Sequence, residues 1–299
     1  MILLIRFLSS ILAALPLPAA LAVGRGVGWV FGTLVRYHRR DALDALRHAF
    51  PEKTNREIKD ITKRMYANLG MNAVEILRLR HVDKEYLRTH IDWIGLENLK
   101  PMRDSGCGGM ILTAHLGNWE MLSIVAPEAI SIPCSVIVKK IKGKALPAYV
   151  DESRTQFGLK LIPSKNSYRN CLRTLKRNEL LGFVIDQNMI RREGEFIDFF
   201  GRPACTTLGL AHLAARTGTP VIPFFPVRKP DGRHEGIFLP AIDPPSSSDK
   251  ETLISATLEY SRIVEDMIRK YPDQWIWIHR RWNTKPEEDA ERDTESAPA

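Results

Sequence analysis

The segment with the sequence TAHLGNWE, residues 113–120, contains the residues best suited to chemistry. His115 is followed by Gly117, which permits a turn, and by Glu120 five residues later. In one continuous helix this spacing would place the two side chains roughly 140° apart, at 3.6 residues per turn. A strand-to-helix turn can instead fold the carboxylate back toward the imidazole. The segment therefore predicts a general base, a histidine that is oriented by a carboxylate and removes a proton from a hydroxyl group.

The elements around His115 favour that arrangement. The apolar run 110–114 predicts a buried strand that ends just before His115, and a helix is expected to begin near Asn118. The N-terminus of such a helix offers backbone donors to a developing negative charge. On spacing alone, an ordinary surface pair between His115 and Glu120 remains an alternative.

The rest of the chain alternates short apolar runs with longer amphipathic ones. Buried strands are predicted at 135–138, 180–185 and 221–227, with helices near 95–104, 118–126, 146–157, 167–177, 208–217 and 250–270. This alternation predicts an α/β fold, with a mainly parallel central sheet flanked by helices. Thr54 and Glu57 form a capping-box pattern before a further helix. Asp186 and Gln187 end a predicted strand at the carboxyl edge of the sheet, where ligands bind in such folds; a satisfied turn is the alternative.

The N-terminus has the composition of a membrane segment. Residues 2–23 are largely apolar with Arg6 as the single charge, and about 20 apolar residues span a bilayer as a helix. Pro16 and Pro18 are expected to kink this helix. Basic residues follow Val35, so the body should lie in the cytoplasm. A cleaved signal peptide ending near Ala20-Leu21-Ala22 and a buried core helix are the alternatives.

We predict three parts: a membrane anchor over 1–35, a catalytic domain over 36–285 and an acidic disordered tail over 286–299. The chain carries 43 Lys and Arg against 35 Asp and Glu, a formal net charge of +8. The tail is acidic, so the body is more basic than this figure and should attract an acidic partner: nucleic acid, anionic lipid or an acidic protein.

Several classes of protein are disfavoured by absent patterns. Four cysteines in 299 residues exclude a disulfide scaffold, and their spacing is not that of zinc ligands. The chain has no G-x-S-x-G elbow, no phosphate-binding glycine loop and no recognisable nucleic-acid-binding module. A nucleic-acid binder therefore rests on charge alone, and we expect no nucleic-acid partner.

Taken together, motifs along nearly the whole chain resemble the lipid A late acyltransferases, the lauroyl and myristoyl transferases of lipopolysaccharide assembly, within the lysophospholipid acyltransferase superfamily. The matching segments lie before, at and after the histidine motif. They are LVRY at 34–37, AFPEK at 49–53, NLG at 68–70, HLGNWE at 115–120, Arg154-x-x-x-Gly158, Asp186-Gln187, FFGRPA at 199–204 with Thr206 and Gly209, Thr217-Gly218, Pro223, and QWIWIHRRW at 274–282.

The resemblance implies a glycerolipid-acyltransferase-like fold and transfer of a fatty acyl group from acyl carrier protein to a hydroxyl of a lipid A precursor. It implies a bacterial inner-membrane protein, single-pass or monotopic, whose active site faces the cytoplasm. His115 would deprotonate the hydroxyl, Glu120 would hold the histidine tautomer and stabilise the imidazolium, and Arg154 would steady the oxyanion. This chemistry needs no metal and no cofactor.

The same motifs imply residues that bind the substrates. They are Asn118, Gly158, Asp186, Gln187, Thr206, Arg280 and Arg281. The two arginines lie among tryptophans, which suits a membrane interface or a phosphate-bearing lipid; the alternative is that the tryptophans fill the core and the arginines cap it. A basic stretch at Lys139, Lys140, Lys142 and Lys144 is expected either to face the acyl donor or to form a solvated loop.

Two other functions remain open. One is transfer to a different acceptor: a glycerophospholipid, another glycolipid such as a mannolipid, or an ornithine lipid. The glycerolipid enzymes usually carry an F-P-E-G motif downstream of the histidine, whereas the F-P-E here, at 50–52, lies upstream. The other is a non-catalytic, membrane-attached lipid-binding protein on an inactive acyltransferase scaffold, against which the intact His115 and Glu120 argue.

Overall fold

The fold, taken from a computed structural model that describes residues 2–106, 108–139, 145–165 and 167–286, is built around a seven-stranded sheet. The strands run β1 (Ile91–Ile94), β2 (Gly109–Thr113), β3 (Cys134–Val138), β4 (Lys160–Pro163), β5 (Leu180–Val184), β8 (Val221–Arg228) and β9 (His234–Phe238). Their order across the sheet is β1-β9-β8-β2-β5-β3-β4. Every neighbouring pair is parallel except β8 with β9. The mainly parallel α/β sheet predicted from the sequence is confirmed.

Eleven α-helices lie in the described part of the chain. They are α1 (Ile2–Ala14), α2 (Leu17–Trp29), α3 (Arg39–Ala49), α4 (Asn55–Arg78), α5 (Lys84–His90), α6 (Lys100–Ser105), α7 (Trp119–Ile130), α8 (Ala145–Thr155), α9 (Tyr168–Lys176), α10 (Gly209–Thr217) and α11 (Lys250–Lys270). A π-helical turn, Val30–Val35, continues α2, and a separate antiparallel pair is formed by β6 (Glu195–Phe199) and β7 (Arg202–Thr206).

The central strands are apolar along their whole length because both of their faces are covered. In β2, Met110 and Leu112 pack with α3, α4, α10 and α11, whereas Ile111 packs on the opposite face with α5, α6 and α7. Two layers of helices therefore bury the sheet, as expected for parallel strands. This is why four of the strands were readable as apolar runs to within one residue, whereas the short strands β1, β4 and β9 were missed.

Helix α4 begins where the capping box predicts. The Thr54 backbone nitrogen donates to Glu57 Oε2 at 2.8 Å, and the Glu57 nitrogen donates to Thr54 Oγ1 at 3.3 Å. These two bonds satisfy donors that the first helical turn leaves free. The resulting helix of 24 residues reaches from the N-terminal helices to the carboxyl edge of the sheet.

The N-terminal apolar run forms two helices rather than one. The chain breaks between α1 and α2 at Leu15 and Pro16, because proline lacks the N–H that a continuing helix needs. The stretch long and apolar enough to cross a membrane is Leu17–Val35, and α1 is a shorter apolar helix. The single helix expected over residues 2–23 is thus corrected to a pair of helices.

Both N-terminal helices are fixed to the body. Helix α2 crosses α4 at very short distance, since a Cβ built on Gly28 would lie 2.0 Å from the Tyr66 carbonyl oxygen, and one on Gly70 equally close to the Gly24 carbonyl oxygen. The Arg78 guanidinium donates to the carbonyls of Leu12 and Leu15 at 2.5 and 2.8 Å, and so caps the end of α1. Small residues permit this close approach of two backbones.

The crossing of α2 and α4 gives a matched pair of substitutions. We expect Gly28→Ala to lower the free energy of unfolding by about 1–3 kcal/mol, because the added methyl group meets the Tyr66 backbone. Gly26→Ala is the control, since a Cβ there meets nothing within 4 Å. Thermal unfolding of the two variants in detergent measures the difference. Equal midpoints for both variants would mean that α2 does not pack on α4.

Candidate active site

His115 lies immediately beyond β2, at the carboxyl edge of the sheet. Gly117 turns the chain there with φ of +55°, and a Cβ at this position would lie 2.2 Å from the Pro226 carbonyl oxygen. Asn118 then caps α7 by accepting a hydrogen bond from the Met121 nitrogen at 3.2 Å. The strand–turn–helix arrangement expected around His115 is therefore present, and glycine is required at its tightest point.

The carboxylate that contacts His115 is Asp186, not Glu120. Asp186 follows β5, the neighbour of β2, and its Oδ1 accepts from His115 Nδ1 at 2.8 Å. Its Oδ2 accepts from the His115 backbone nitrogen at 2.9 Å and from Trp275 Nε1 at 2.6 Å. The carboxylate contact with the imidazole that was expected of Glu120 is thus made by Asp186, because adjacent strand ends meet at one edge. Asp186 is buried, so the substrate-binding contact expected of it is replaced by this contact with the histidine.

Asp186 and His115 shift each other's pKa. Burial by itself lowers the pKa of His115, but the Asp186 carboxylate outweighs it, with a smaller effect of Glu120, and the pKa is raised above its usual value. Burial alone would raise the pKa of Asp186, yet the bonds from His115 and Trp275 lower it to about 2. Asp186 is therefore ionised near neutral pH, and it stabilises a proton on the imidazole.

Glu120 and Arg154 form an ion pair beside the histidine. Arg154 Nε donates to Glu120 Oε1 at 2.5 Å and its Nη2 donates to Oε2 at 3.2 Å, a two-point contact between α8 and the first turn of α7. Both side chains remain partly exposed. Arg154 thus lies against Glu120, a pairing that the sequence did not indicate, and its role toward the oxyanion stays a prediction. Gly158, three residues beyond α8, has φ of +83° and is exposed.

Gln187 covers the free nitrogen of the histidine. Its Nε2 lies 2.9 Å from His115 Nε2, and since Asp186 holds the proton on Nδ1, Nε2 is the acceptor of this bond. Gln187 is exposed, so a hydroxyl group arriving from solvent or lipid can take its place on Nε2. Of the residues predicted to bind substrate, Gln187 is the one that lies against the reactive atom.

A buried polar network supports the turn from behind, and sequence reasoning missed it. Glu75 of α4 accepts from Asn118 Nδ2 at 2.7 Å and from both terminal nitrogens of Arg228 at 2.7 and 2.5 Å. His234 Nε2 lies 3.0 Å from the same carboxylate. Asn72, one turn earlier in α4, donates to the Gly117 carbonyl oxygen at 2.6 Å and accepts from Arg228 at 2.8 Å.

The charge of Glu75 is held by these partners. Burial alone would raise its pKa, but His234 and Arg228 lower it well below the usual range. Its carboxylate is 2% exposed and Arg228 is 7% exposed. The signal was available in the sequence, because Asn72 and Glu75 continue the apolar face of α4 marked by Ile58, Ile61 and Met65. A charged residue in line with buried positions must have a partner.

The C-terminal segment closes the site, but not as a membrane interface. Trp275 and Trp277 are buried, and they pack with Phe199 and Phe200. Arg281 is 1% exposed. Of the two interpretations left open by the sequence, the structure shows the second: the tryptophans lie in the core with Arg281 among them.

The two arginines of this segment have separate positions. Arg281 donates to the carbonyls of Gln187 and Cys205, both at 2.9 Å, and to Thr206 Oγ1 at 2.5 Å. Burial lowers its pKa to about 10. Thr206 is fully buried, so the pair holds the chain beyond β5 in place rather than reaching a substrate. Arg280 is exposed and donates to Asp41 Oδ2 at 3.0 Å on α3, away from the histidine contacts described above.

Two expectations lie partly or wholly outside the described residues. Lys139 is exposed at the end of β3, whereas Lys140, Lys142 and Lys144 lie outside the described part of the chain. The acidic tail from residue 287 onward also lies outside it.

Removing the aspartate charge tests the electrostatics of the site. We expect Asp186→Asn to lower the pKa of His115 below its ordinary value, because burial remains while the partner that outweighs it is gone. Glu120→Gln should lower the same pKa by less, since Glu120 has the smallest effect. NMR titration of histidine-labelled protein measures both. An unchanged His115 pKa in Asp186→Asn would contradict the contact.

Removing Glu75 tests the supporting network. Glu75→Ala leaves the buried Arg228 without its carboxylate, and we expect it to lower the free energy of unfolding by about 3–5 kcal/mol. Glu85→Ala, which breaks the exposed pair with Arg88, should change it by less than about 1 kcal/mol. Denaturant unfolding in detergent compares the two. If both variants changed the free energy of unfolding by a similar small amount, the network around Glu75 would not stabilise the fold.

Known proteins are similar to this chain along most of its length. Residues 1–284 match the family model described as bacterial lipid A biosynthesis acyltransferase. A lipid A biosynthesis lauroyltransferase of Escherichia coli is 24% identical over 275 residues, 91% of this chain and 88% of that protein. A phosphatidylinositol mannoside acyltransferase of Mycolicibacterium smegmatis is 25% identical over 282 residues, 89% of this chain and 86% of that protein. A solved 1-acyl-sn-glycerophosphate acyltransferase of Thermotoga maritima superposes with a TM-score of 0.40 at 13% identity, covering 87% of this chain and 100% of that chain.

The family match extends from the N-terminal helices through the C-terminal tryptophan segment and so includes every element that builds the site. The chain belongs to the bacterial lipid A biosynthesis acyltransferase family.

Proposed function

We propose that this acyltransferase moves a fatty acyl group from acyl carrier protein to a hydroxyl of a lipid A precursor at the cytoplasmic face of the inner membrane. The observation that carries the proposal is the His115 imidazole, which presents Nε2 at an accessible sheet edge while the Asp186 carboxylate holds Nδ1. This arrangement is that of a general base in a chain whose family transfers acyl groups.

The proposed reaction begins when the acceptor hydroxyl replaces Gln187 on His115 Nε2. The imidazole takes the hydroxyl proton, the oxygen attacks the thioester carbonyl, and a C–O bond forms. The C–S bond then breaks, and the leaving thiolate takes the proton from the imidazolium. Asp186 stabilises the positive ring between these two proton transfers, and a positioned base of this kind contributes about 10²–10⁴-fold.

Arg154 is the proposed donor to the oxyanion. Two of its nitrogens bond Glu120, while Nη1 has a looser partner, Asp151 Oδ1 at 3.8 Å. A guanidinium fixed by a glutamate on one side can still donate on another. Glu120 then acts by orienting Arg154 and by its charge on His115, rather than by direct contact with the imidazole.

A narrow apolar cavity supports binding of an acyl chain. It begins at Thr113 and Val184, each two residues before a member of the His115–Asp186 pair, and it runs between the sheet and α7 toward Ile130. Its volume is about 50 Å³, so the walls must move apart to admit a whole fatty chain. The acyl donor is proposed to bind with its thioester at the sheet edge and its chain along this cavity.

Membrane attachment is proposed to be shallow rather than spanning. The exposed large apolar residues are concentrated on α1, α2 and the following π-helical turn, including Leu3, Phe7, Trp29 and Leu34. Opposite them, glycines hold α2 against α4, so α2 cannot cross a bilayer alone without losing that contact. The family and the candidate span Leu17–Val35, found among the described residues, support membrane association. The protein would thus insert these helices into one leaflet.

A different acceptor is the second candidate function. The phosphatidylinositol mannoside acyltransferase matches over as much of its length as the lauroyltransferase does, at about the same identity. A glycolipid other than a lipid A precursor therefore fits the same site. A non-catalytic role is disfavoured because His115, its buried carboxylate and the exposed, replaceable Gln187 on Nε2 are all in place.

The test replaces the base. His115→Ala should lower turnover by at least ~10²-fold with acyl carrier protein as donor, while leaving thermal unfolding unchanged. His212→Ala is the control, because His212 is an exposed histidine on α10 outside the site. Labelled acyl carrier protein and isolated membranes supply donor and acceptors, and mass spectrometry identifies the acylated product.

Three results would count against the proposal. If a folded His115→Ala variant kept normal turnover, His115 would not be the general base. If the wild-type protein used acyl coenzyme A but not acyl carrier protein, the proposed acyl donor would be wrong. Acylation of a mannolipid or ornithine lipid in place of a lipid A precursor would replace the acceptor.

A further inference from the structure

A second, larger cavity lies next to the turn at residues 115–118, which is called the catalytic turn below. It has no part in the chemistry described so far. It measures about 680 Å³, which is within the usual range for small-molecule sites. Its walls come from α2, α4, the loop between β8 and β9 and the segment after α11. Gln274, which lines it, also contacts the turn, since its carbonyl oxygen accepts from the Gly117 nitrogen at 3.0 Å. The cavity and the catalytic turn therefore share a wall.

The lining of this cavity combines apolar and charged groups. Its apolar part includes Leu17, Pro18 and Leu21 of α2. Its polar part consists of Arg25, Arg64, Asn68, Arg228, Lys229, Asp231, Asp273 and Gln274. A cavity with both kinds of lining suits an amphiphile with a charged head.

Most of the charged side chains in the polar part of the lining are already paired. Arg64 donates to Asp273 at 3.0 Å, and Lys229 donates to Asp92 at 3.0 Å. Asp231 accepts from Arg233 at 2.9 Å. Arg228 is committed to Glu75, as described above. These pairs leave no free carboxylate to repel an anion.

Arg25 is the exception. The polar contact of its guanidinium is with the sulfur of Met71, at 3.6 Å, and among the described residues no carboxylate pairs with it. It is also the single charged residue between Phe7 and Val35. Arg25 is exposed beside the cavity, and an arginine within an apolar segment that enters a membrane is a functional-site hypothesis by default.

We propose that this cavity binds the phosphate of a lipid headgroup, with Arg25 as the anion-binding residue. A guanidinium can form two parallel hydrogen bonds to phosphate oxygens, which strengthens and orients the contact. The lipid chains leave past Leu17, Pro18 and Leu21 toward the exposed apolar face of α1 and α2. The phosphate belongs either to a bilayer phospholipid or to the glycolipid acceptor of the proposed function, and on the second reading the site rests on that function.

The test measures binding without turnover, so that it is independent of the acyl-transfer proposal. Full-length protein in neutral detergent is titrated with dioctanoyl phosphatidylglycerol and with dioctanoylglycerol, which lacks the phosphate. We expect the phosphate-bearing lipid to bind more tightly, and Arg25→Gln to weaken that binding by about tenfold or more. Arg25→Lys should bind with intermediate affinity, because lysine keeps the positive charge but cannot form the two parallel hydrogen bonds of a guanidinium.

Arg36→Gln is the matched control. Arg36 is an exposed arginine of the same N-terminal region, its guanidinium donates to the Thr33 carbonyl oxygen, and it does not line the cavity. It should bind phosphatidylglycerol as the wild type does. Thermal unfolding of each variant confirms that α2 still packs on α4.

A second arm identifies the source of the phosphate. Phosphorylated lipid A precursor is titrated alone and in competition with phosphatidylglycerol, against the same glycolipid after phosphatase treatment. Precursor binding that depends on Arg25 and resists phosphatidylglycerol supports an acceptor site, whereas displacement by phosphatidylglycerol supports a bilayer-lipid site. Equal binding of the phosphate-bearing and phosphate-free lipids, or no loss in Arg25→Gln, overturns the proposal even if acyl transfer is confirmed.

Discussion

The buried carboxylate of Asp186 joins the parts of the molecule on which the site depends. It accepts hydrogen bonds from the backbone and the ring of His115 and from the indole of Trp275, so one side chain connects the ends of two strands with the C-terminal segment. A carboxylate that is 2% exposed is costly unless donors surround it. These three donors make its ionised form the stable one, and that form gives His115 a defined tautomer and a raised pKa.

A second buried carboxylate, Glu75, holds the other side of the catalytic turn. Through Asn118 and Arg228 it fixes the start of α7 and the end of β8, while Asn72 holds the Gly117 carbonyl. The turn is thus held by Asp186 through His115 and by Glu75 through Asn118. Gln187 differs from these residues because it is exposed and bonds the histidine through an amide that a substrate hydroxyl can replace. On the proposed function, the buried contacts position the base, and Gln187 lies where the acceptor hydroxyl would enter.

The sequence predicted His115 but not its partner, for a reason of strand order. Both strands were visible as apolar runs, yet nothing local showed that β2 and β5 are neighbours. Once paired in parallel with Thr113 opposite Val184, the register places His115 beside Asp186, 71 residues later. Glu120 is nearer to His115 in sequence, but it bonds Arg154 instead. The position of the tryptophans stayed open for another reason. Indole beside arginine is common to membrane interfaces and to packed cores, and the choice depends on β6 and β7, which supply Phe199 and are not evident in the sequence.

Helix α4 carries both the contact with the membrane segment and the support of the catalytic turn. Gly70 meets α2, whereas Asn72 and Glu75, within five residues, hold the turn. At 1.5 Å per residue these contacts are separated by about 8 Å along the helix axis. Any depth that α2 takes in a bilayer therefore fixes the height of His115 above it, because α4 is a continuous helix with a capped start. On the proposed function, the lipid hydroxyl meets His115 near the headgroup level. The close glycine crossing of α2 and α4 is then as much a condition for acyl transfer as the His115–Asp186 pair.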